Sequence, residues 1–178
     1  MLINLQLSKI AHVMSLDKRD IFHRLAKILE EQGELTKAIL LQDKSEIIEE
    51  TIDNLMVLTS IAYVVDERSM TEAQDIVNSI FHKNIYNKDQ VITLWMKYHV
   101  DLGEMSNAVQ KNQKIGASAY KGFATDKEVI KLVMNAITHI TAFLSFQTSD
   151  VELLNEIIVK KNAKWHAKTL DGMQTNAA

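Results

Sequence analysis

The chain has 178 residues, is 47% hydrophobic and 24% charged, and carries a formal net charge of -3. This composition fits an ordinary folded protein, and the charge gives no general attraction to nucleic acid. Because Cys and Pro are absent, disulfides and thiolate metal sites are excluded, and helices can run without interruption. No N-terminal signal is visible and no apolar run approaches ~18 residues, so we expect a cytoplasmic protein without a membrane partner.

Apolar residues recur at helical spacing along the first half of the chain, and strand-like alternation is nowhere sustained. The apolar spacing predicts a short helix over Leu2–Met14, a long helix capped by Asp17, and a second long helix over Ser45–Asp66. Ser69 and Glu72 have the spacing of a capping box that would open a third helix. We therefore expect an all-α fold.

The two long helices each carry a pair of carboxylates three residues apart. Glu31 and Glu34 share one face of the first helix. Glu50 and Asp53 share one face of the second helix. Like charges this close repel, so the pattern favours either a bound cation or a solvated acidic face. The short link over Gln42–Ser45 makes the helices antiparallel neighbours, which would bring the two pairs together.

From Asn87 onward the pattern of the first half starts again. The same register aligns Glu31 with Asp101 and Gly33 with Gly103. Gly is disfavoured inside helices, so a matched pair of mid-helix glycines is informative. We infer an internal duplication.

The duplication predicts one all-α domain over residues 1–178. Its first repeat would span about 15–88, its second repeat about 87–168, and a C-terminal tail would occupy 169–178. An insertion over Lys111–Gly122 in the second repeat is a candidate lid, and an ordinary surface loop explains it equally well.

The second repeat lacks half of the acidic residues. Asp101 and Glu104 keep one carboxylate pair, whereas Leu132 and Asn135 stand at the positions of the other. Two carboxylates alone should hold Mg²⁺ weakly, so we expect the chemistry in the first repeat and a supporting wall in the second. Capping boxes are predicted in this repeat at two places, Thr125 with Glu128 and Ser149 with Glu152.

The acidic pattern resembles the signature of the all-α nucleoside triphosphate pyrophosphohydrolases, a superfamily that includes MazG and the dimeric dUTPases. That signature, ExxE followed at moderate distance by ExxD, is matched by Glu31-Gln32-Gly33-Glu34 and Glu50-Thr51-Ile52-Asp53. The resemblance implies a helical bundle of two tandem, unequal MazG-like hairpin repeats. It also implies Mg²⁺-dependent cleavage of a nucleoside triphosphate to the monophosphate and pyrophosphate, with dUTP, dCTP and non-canonical nucleotides as candidate substrates.

The resemblance further implies roles for individual residues. Mg²⁺, for which Mn²⁺ can substitute, would be held by Glu31, Glu34, Glu50 and Asp53. The catalytic group would comprise Glu30, Glu31, Glu34 and Glu49, with Glu30 or Glu49 orienting water. Contacts to the phosphates are expected from Lys27, Lys83, Asn84, Lys161, Asn162 and Lys164. Solvated lysines that complete helix ends would explain the basic residues of this set equally well.

Spacing alone also permits a clamp that uses Glu30 instead of Glu31, because Glu30 lies one turn from Glu34. The position aligned with Glu31 stays acidic in the second repeat, whereas Glu30 aligns with Val100. We therefore assign the metal to Glu31.

A second functional class remains open, namely a non-catalytic helical scaffold or regulator that kept the fold. Association into a homodimer or a higher homo-oligomer is also open. Four aromatic residues are candidates either for stacking on a base or for the core: Trp95, Tyr98, Phe123 and Trp165.

Overall fold

The computed structural model describes residues 20–83, 87–115 and 122–175, with the side chains of residues 83, 88 and 169–175 left undescribed. In this part of the chain there are six α-helices and no strand, which confirms the all-α prediction. The helices are α1 (Ile21–Leu41), α2 (Lys44–Val65), α3 (Ser69–Lys83), α4 (Val91–Asn112), α5 (Asp126–Gln147) and α6 (Val151–Thr175).

The predicted helix over Leu2–Met14 lies outside the described residues. Helix α6 continues to Thr175, so residues 169–175 of the expected C-terminal tail belong to a helix.

The start of α1 differs from the predicted cap. The N-cap of α1 is Asp20, whose Oδ1 accepts from the backbone N–H groups of Phe22 at 3.0 Å and His23 at 2.9 Å. The predicted cap, Asp17, was therefore three residues too early. Helix α2 begins at Lys44, one residue before the predicted Ser45, with Asp43 as its N-cap.

Only one of the three predicted capping boxes forms. Thr125 and Glu128 make the full reciprocal box at the start of α5. Ser69 is instead the first residue of α3, and its buried Oγ has no hydrogen-bond partner within the described chain. At α6 the cap is Asp150 rather than Ser149, because Asp150 Oδ1 accepts from the N–H of Leu153 at 3.0 Å. Asp150 lies one residue closer to the helix than Ser149, and its carboxylate accepts the hydrogen bond of the cap.

Helices α2 and α5 form the centre of the molecule and pack against each other. Helix α1 packs on α2, and α4 packs on α5. The third helix of each half reaches across the molecule, because α3 packs on α5 and α6 packs on α2. The same order of helices thus occurs twice, as a duplication would produce, and each half supplies a helix to the other.

Helix α5 is long and apolar enough to cross a membrane by length and composition, and 56% of its most apolar window is buried inside the structure. Polar residues such as Asn135, Thr138 and His139 interrupt this helix, so it is not a continuous apolar run, and its high mean hydropathy has a structural cause. The physical reason is the central position of α5, which contacts α2, α3 and α4 and leaves few positions for charged side chains.

Candidate metal centre

A cleft of about 540 Å³ lies between α1, α2 and α6. Helices α1 and α2 form one antiparallel hairpin and bring acidic residues into the cleft, whereas α6 brings basic residues from the other half of the chain. The cleft collects eight of the predicted site residues: Lys27, Glu30, Glu31, Glu34, Glu50, Asp53, Lys161 and Lys164.

Three of the four predicted metal ligands form a tight cluster inside the cleft. One oxygen from each of Glu31, Glu50 and Asp53 lies within 4.8 Å of the other two. Glu31 is only 3% exposed and Asp53 only 7% exposed. The fourth predicted ligand, Glu34, lines the same cleft but is exposed and does not belong to the cluster.

The clustered carboxylates present oxygens that lack partners. Glu31 Oε2, Glu50 Oε2 and Asp53 Oδ1 are buried and accept no hydrogen bond from any described residue. A buried, charged oxygen without a partner is costly, and a hard cation bound by oxygen ligands removes that cost. The donor set therefore fits a divalent ion such as Mg²⁺ or Mn²⁺.

The raised pKa values of the clustered carboxylates also favour a bound cation. Burial, assisted by the neighbouring Asp53, raises the pKa of Glu50 to about 7. Burial also raises the pKa of Glu31, although Lys27 opposes the shift. At Asp53, burial raises the pKa in spite of a hydrogen bond from Lys161. Each negative charge is thus disfavoured in the metal-free cleft, and a bound cation would relieve the repulsion.

Two lysines flank the cluster in equivalent ways. Lys27 Nζ lies 2.5 Å from Glu31 Oε1 and 2.9 Å from Glu30 Oε1. Lys161 Nζ contacts Asp53 Oδ2 and lies 3.4 Å from Glu49 Oε2. Each lysine therefore joins one clustered carboxylate to one of the two carboxylates expected to orient water. Both were expected to contact phosphates, and here both are held by carboxylates.

The remaining predicted residues occupy different places. Lys164 is an exposed residue of the cleft wall. Asn162 is buried outside the cleft lining, and neither of its side-chain amide atoms has a partner in the described chain. Lys83 ends α3, which packs on α5, and its side chain is undescribed. Asn84 lies outside the described residues.

The cleft also contains basic residues beyond those expected to contact the phosphates. Lys168 lines the cleft on α6, as does Lys37 on α1. Lys161, Lys164 and Lys168 follow one another at spacings of three and four residues, which places them on one face of α6. The same periodicity is visible in the sequence and groups Lys168 with the two lysines expected to contact phosphates.

The second half of the chain forms no comparable cluster within the described residues. Asp101, aligned with Glu31, is only 7% exposed and pairs with His139, whose Nδ1 lies 2.5 Å from Asp101 Oδ2. Asn135, aligned with Asp53, is exposed. Asp101 therefore already has a hydrogen-bonding partner, in contrast to the three clustered carboxylates, each of which has an oxygen without one in the described chain.

The four aromatic candidates lie in three different places. Tyr98 is fully buried and donates a hydrogen bond of 2.6 Å from its hydroxyl to Asn54 Oδ1, which joins α4 to α2. Trp95 packs against Tyr98, with ring centroids 5.9 Å apart. Phe123 is exposed outside this cleft, whereas Trp165 lines it.

Comparison with protein families identifies a match to part of the chain. Residues 22–92 match the family model of the MazG nucleotide pyrophosphohydrolase domain. The matched stretch contains all three clustered carboxylates but not Lys161. No curated protein and no solved structure matches the chain.

Proposed function

We propose that this protein hydrolyses a nucleoside triphosphate to the monophosphate and pyrophosphate, because residues 22–92 match the family model of the MazG nucleotide pyrophosphohydrolase domain. The observation that supports this proposal best is the cluster of Glu31, Glu50 and Asp53, each with a buried oxygen that has no partner in the described chain. The cleft of about 540 Å³ also has the volume expected for a small-molecule site.

The ion, Mg²⁺ or Mn²⁺, would be held by Glu31, Glu50 and Asp53, with Glu34 at the edge of the same cleft. When bound, it would polarise the phosphate oxygens and balance part of their charge. The three carboxylates would fix its position, because they project from two helices that are packed together.

The other charged residues of the cleft complete the proposed mechanism. Lys164 and Lys168 are exposed on α6 and can donate hydrogen bonds to the phosphates. Glu30 can orient the attacking water and accept its proton, because it lines the cleft beside the cluster. Glu49 is the alternative base, because it lies next to Lys161, on the other side of the carboxylate cluster from Glu30. Trp165 offers an aromatic surface within the same cleft.

The proposal also covers the substrate, the cellular location and the partners of the protein. Candidate substrates are dUTP, dCTP and non-canonical nucleotides. A cytoplasmic location, the absence of nucleic-acid and membrane partners, and assembly into a homodimer or higher homo-oligomer belong to the same proposal.

The direct test is to incubate the pure protein with each dNTP and NTP in the presence of Mg²⁺ and to measure pyrophosphate release. We expect turnover of at least one nucleotide, with equal amounts of monophosphate and pyrophosphate. Omitting the metal should abolish the activity. If no nucleotide is hydrolysed, the protein is better explained as a non-catalytic scaffold or regulator.

The raised pKa of Glu50 predicts a pH effect that needs no substrate. In the folded, metal-free protein this carboxyl group has a pKa of about 7 against a usual 4.5. Between these values the folded chain binds more protons than the unfolded chain, so the contribution of Glu50 to stability is lost as pH rises from 4.5 through 7. Thermal unfolding in EDTA from pH 5 to pH 8 should show this loss in the wild type, whereas Glu50→Gln should be less sensitive to pH. Identical pH dependence in the two proteins would contradict the assignment.

A further inference from the structure

Lys161 places a buried ammonium group beside the acidic cluster. The residue is only 8% exposed, and its Nζ contacts Asp53 Oδ2 and lies 3.4 Å from Glu49 Oε2. It belongs to α6, whereas both carboxylates belong to α2. The second half of the chain therefore contributes a positive charge to the site of the first half.

The two oxygens of Asp53 have different environments. Oδ2 accepts from Lys161, whereas Oδ1 is buried without a partner in the described chain. A metal ion bound through Oδ1 would share this carboxylate with the ammonium group. Two positive charges so close in a partly buried site repel each other more strongly than they would in water. Lys161 thus stabilises the metal-free cluster and opposes the binding of a metal ion.

Lys27 is less constrained on the opposite side of the cluster. Its side chain is 33% exposed, against 10% for that of Lys161. Lys27 can turn toward solvent when the charge beside it changes, whereas Lys161 is confined between α6 and α2. The repulsion that a bound metal ion meets therefore comes mainly from the ammonium group of Lys161.

We propose that Lys161 is a built-in counter-ion that keeps the metal affinity of the free protein low, so that metal and polyphosphate bind cooperatively. This inference rests on the proposed function, because it assigns the cleft to a metal ion and a phosphate chain. The negative phosphates offset the charge of Lys161 and thereby remove the repulsion that the ion meets. By linkage, phosphate raises the affinity for the metal by the same factor by which the metal raises the affinity for phosphate.

The test measures Mn²⁺ affinity in the full chain by calorimetry, without nucleotide and therefore without turnover. Lys161→Met removes the charge, Lys161→Arg keeps it, and Lys160→Met makes the same change at the adjacent exposed position of α6 outside the cleft. We expect Lys161→Met to bind Mn²⁺ about tenfold more tightly than the wild type. Lys161→Arg and Lys160→Met should bind it as the wild type does.

A second titration adds inorganic tripolyphosphate at equal free Mn²⁺ concentrations. Tripolyphosphate should tighten Mn²⁺ binding at least about tenfold in the wild type and much less in Lys161→Met. Equal or weaker Mn²⁺ binding by Lys161→Met overturns the proposal, as does the lack of any effect of tripolyphosphate in the wild type. If Lys161→Met does not fold, as judged by circular dichroism, Lys161→Gln carries the same expectations.

The outcome separates this inference from the proposed function. Nucleotide hydrolysis with unchanged Mn²⁺ affinity in Lys161→Met would overturn only the role of Lys161. The expected changes in Mn²⁺ affinity without hydrolysis of any nucleotide would overturn only the proposed function.

Discussion

Replacing Glu31 by Gln, or Asp53 by Asn, is expected to lower both the affinity for Mg²⁺ and the rate of nucleotide hydrolysis by orders of magnitude. Each residue supplies a buried oxygen without a partner in the described chain and belongs to the cluster within 4.8 Å. Neutralising either residue removes a charged ligand. It also leaves a lysine without its charged partner, namely Lys27 in the Glu31 variant and Lys161 in the Asp53 variant. Calorimetric titration with Mg²⁺ or Mn²⁺ and an assay of pyrophosphate release measure the two effects.

Glu30→Gln is the matched control, because Glu30 precedes Glu31 and contacts the same lysine but is exposed. It should mainly slow turnover and leave metal affinity within about tenfold, or roughly 1.4 kcal/mol. If Glu30→Gln lost metal binding while Glu31→Gln retained it, the ligand assignment would have to shift by one residue.

Glu50→Gln is expected to weaken metal binding sharply, whereas Glu128→Gln and Asp101→Asn in the second repeat should not. Glu50 is part of the acidic cluster, and Glu128 is engaged in the capping box that starts α5. Asp101 is occupied by His139. Titration should therefore reveal binding at one carboxylate cluster per chain, with one or two ions.

The control variants should instead affect stability. Asp101→Asn removes a charged partner from His139, which should cost about 1–3 kcal/mol in the free energy of unfolding. Glu128→Gln removes a negative charge from the first turn of α5 but keeps a side chain that can complete the capping box, so it should lower the free energy of unfolding only slightly. Equal loss of metal affinity in both repeats would refute the functional inequality of the two halves.

The helices and the spacing of their carboxylates were predictable because both depend on local sequence. The predicted helix over Ser45–Asp66 differs by one residue at each end from the observed Lys44–Val65. The caps of α1 and α6 were less predictable, since Asp20 and Asp150 compete with nearby polar residues for the same backbone N–H groups. Small differences in backbone geometry decide which of the neighbouring side chains becomes the cap.

The sequence by itself determined that the protein is helical and that paired carboxylates lie on the faces of two helices, because helical periodicity fixes which residues share a face. Only the tertiary structure decided which of those carboxylates meet. It brought Glu50 and Asp53 to Glu31 and left Glu34 at the exposed edge of the cleft. It also placed Lys161 on Asp53, 108 residues earlier in the chain. The lateral position and rotation of packed helices depend on how their side chains interlock across the core, and periodicity along one helix carries no information about that fit.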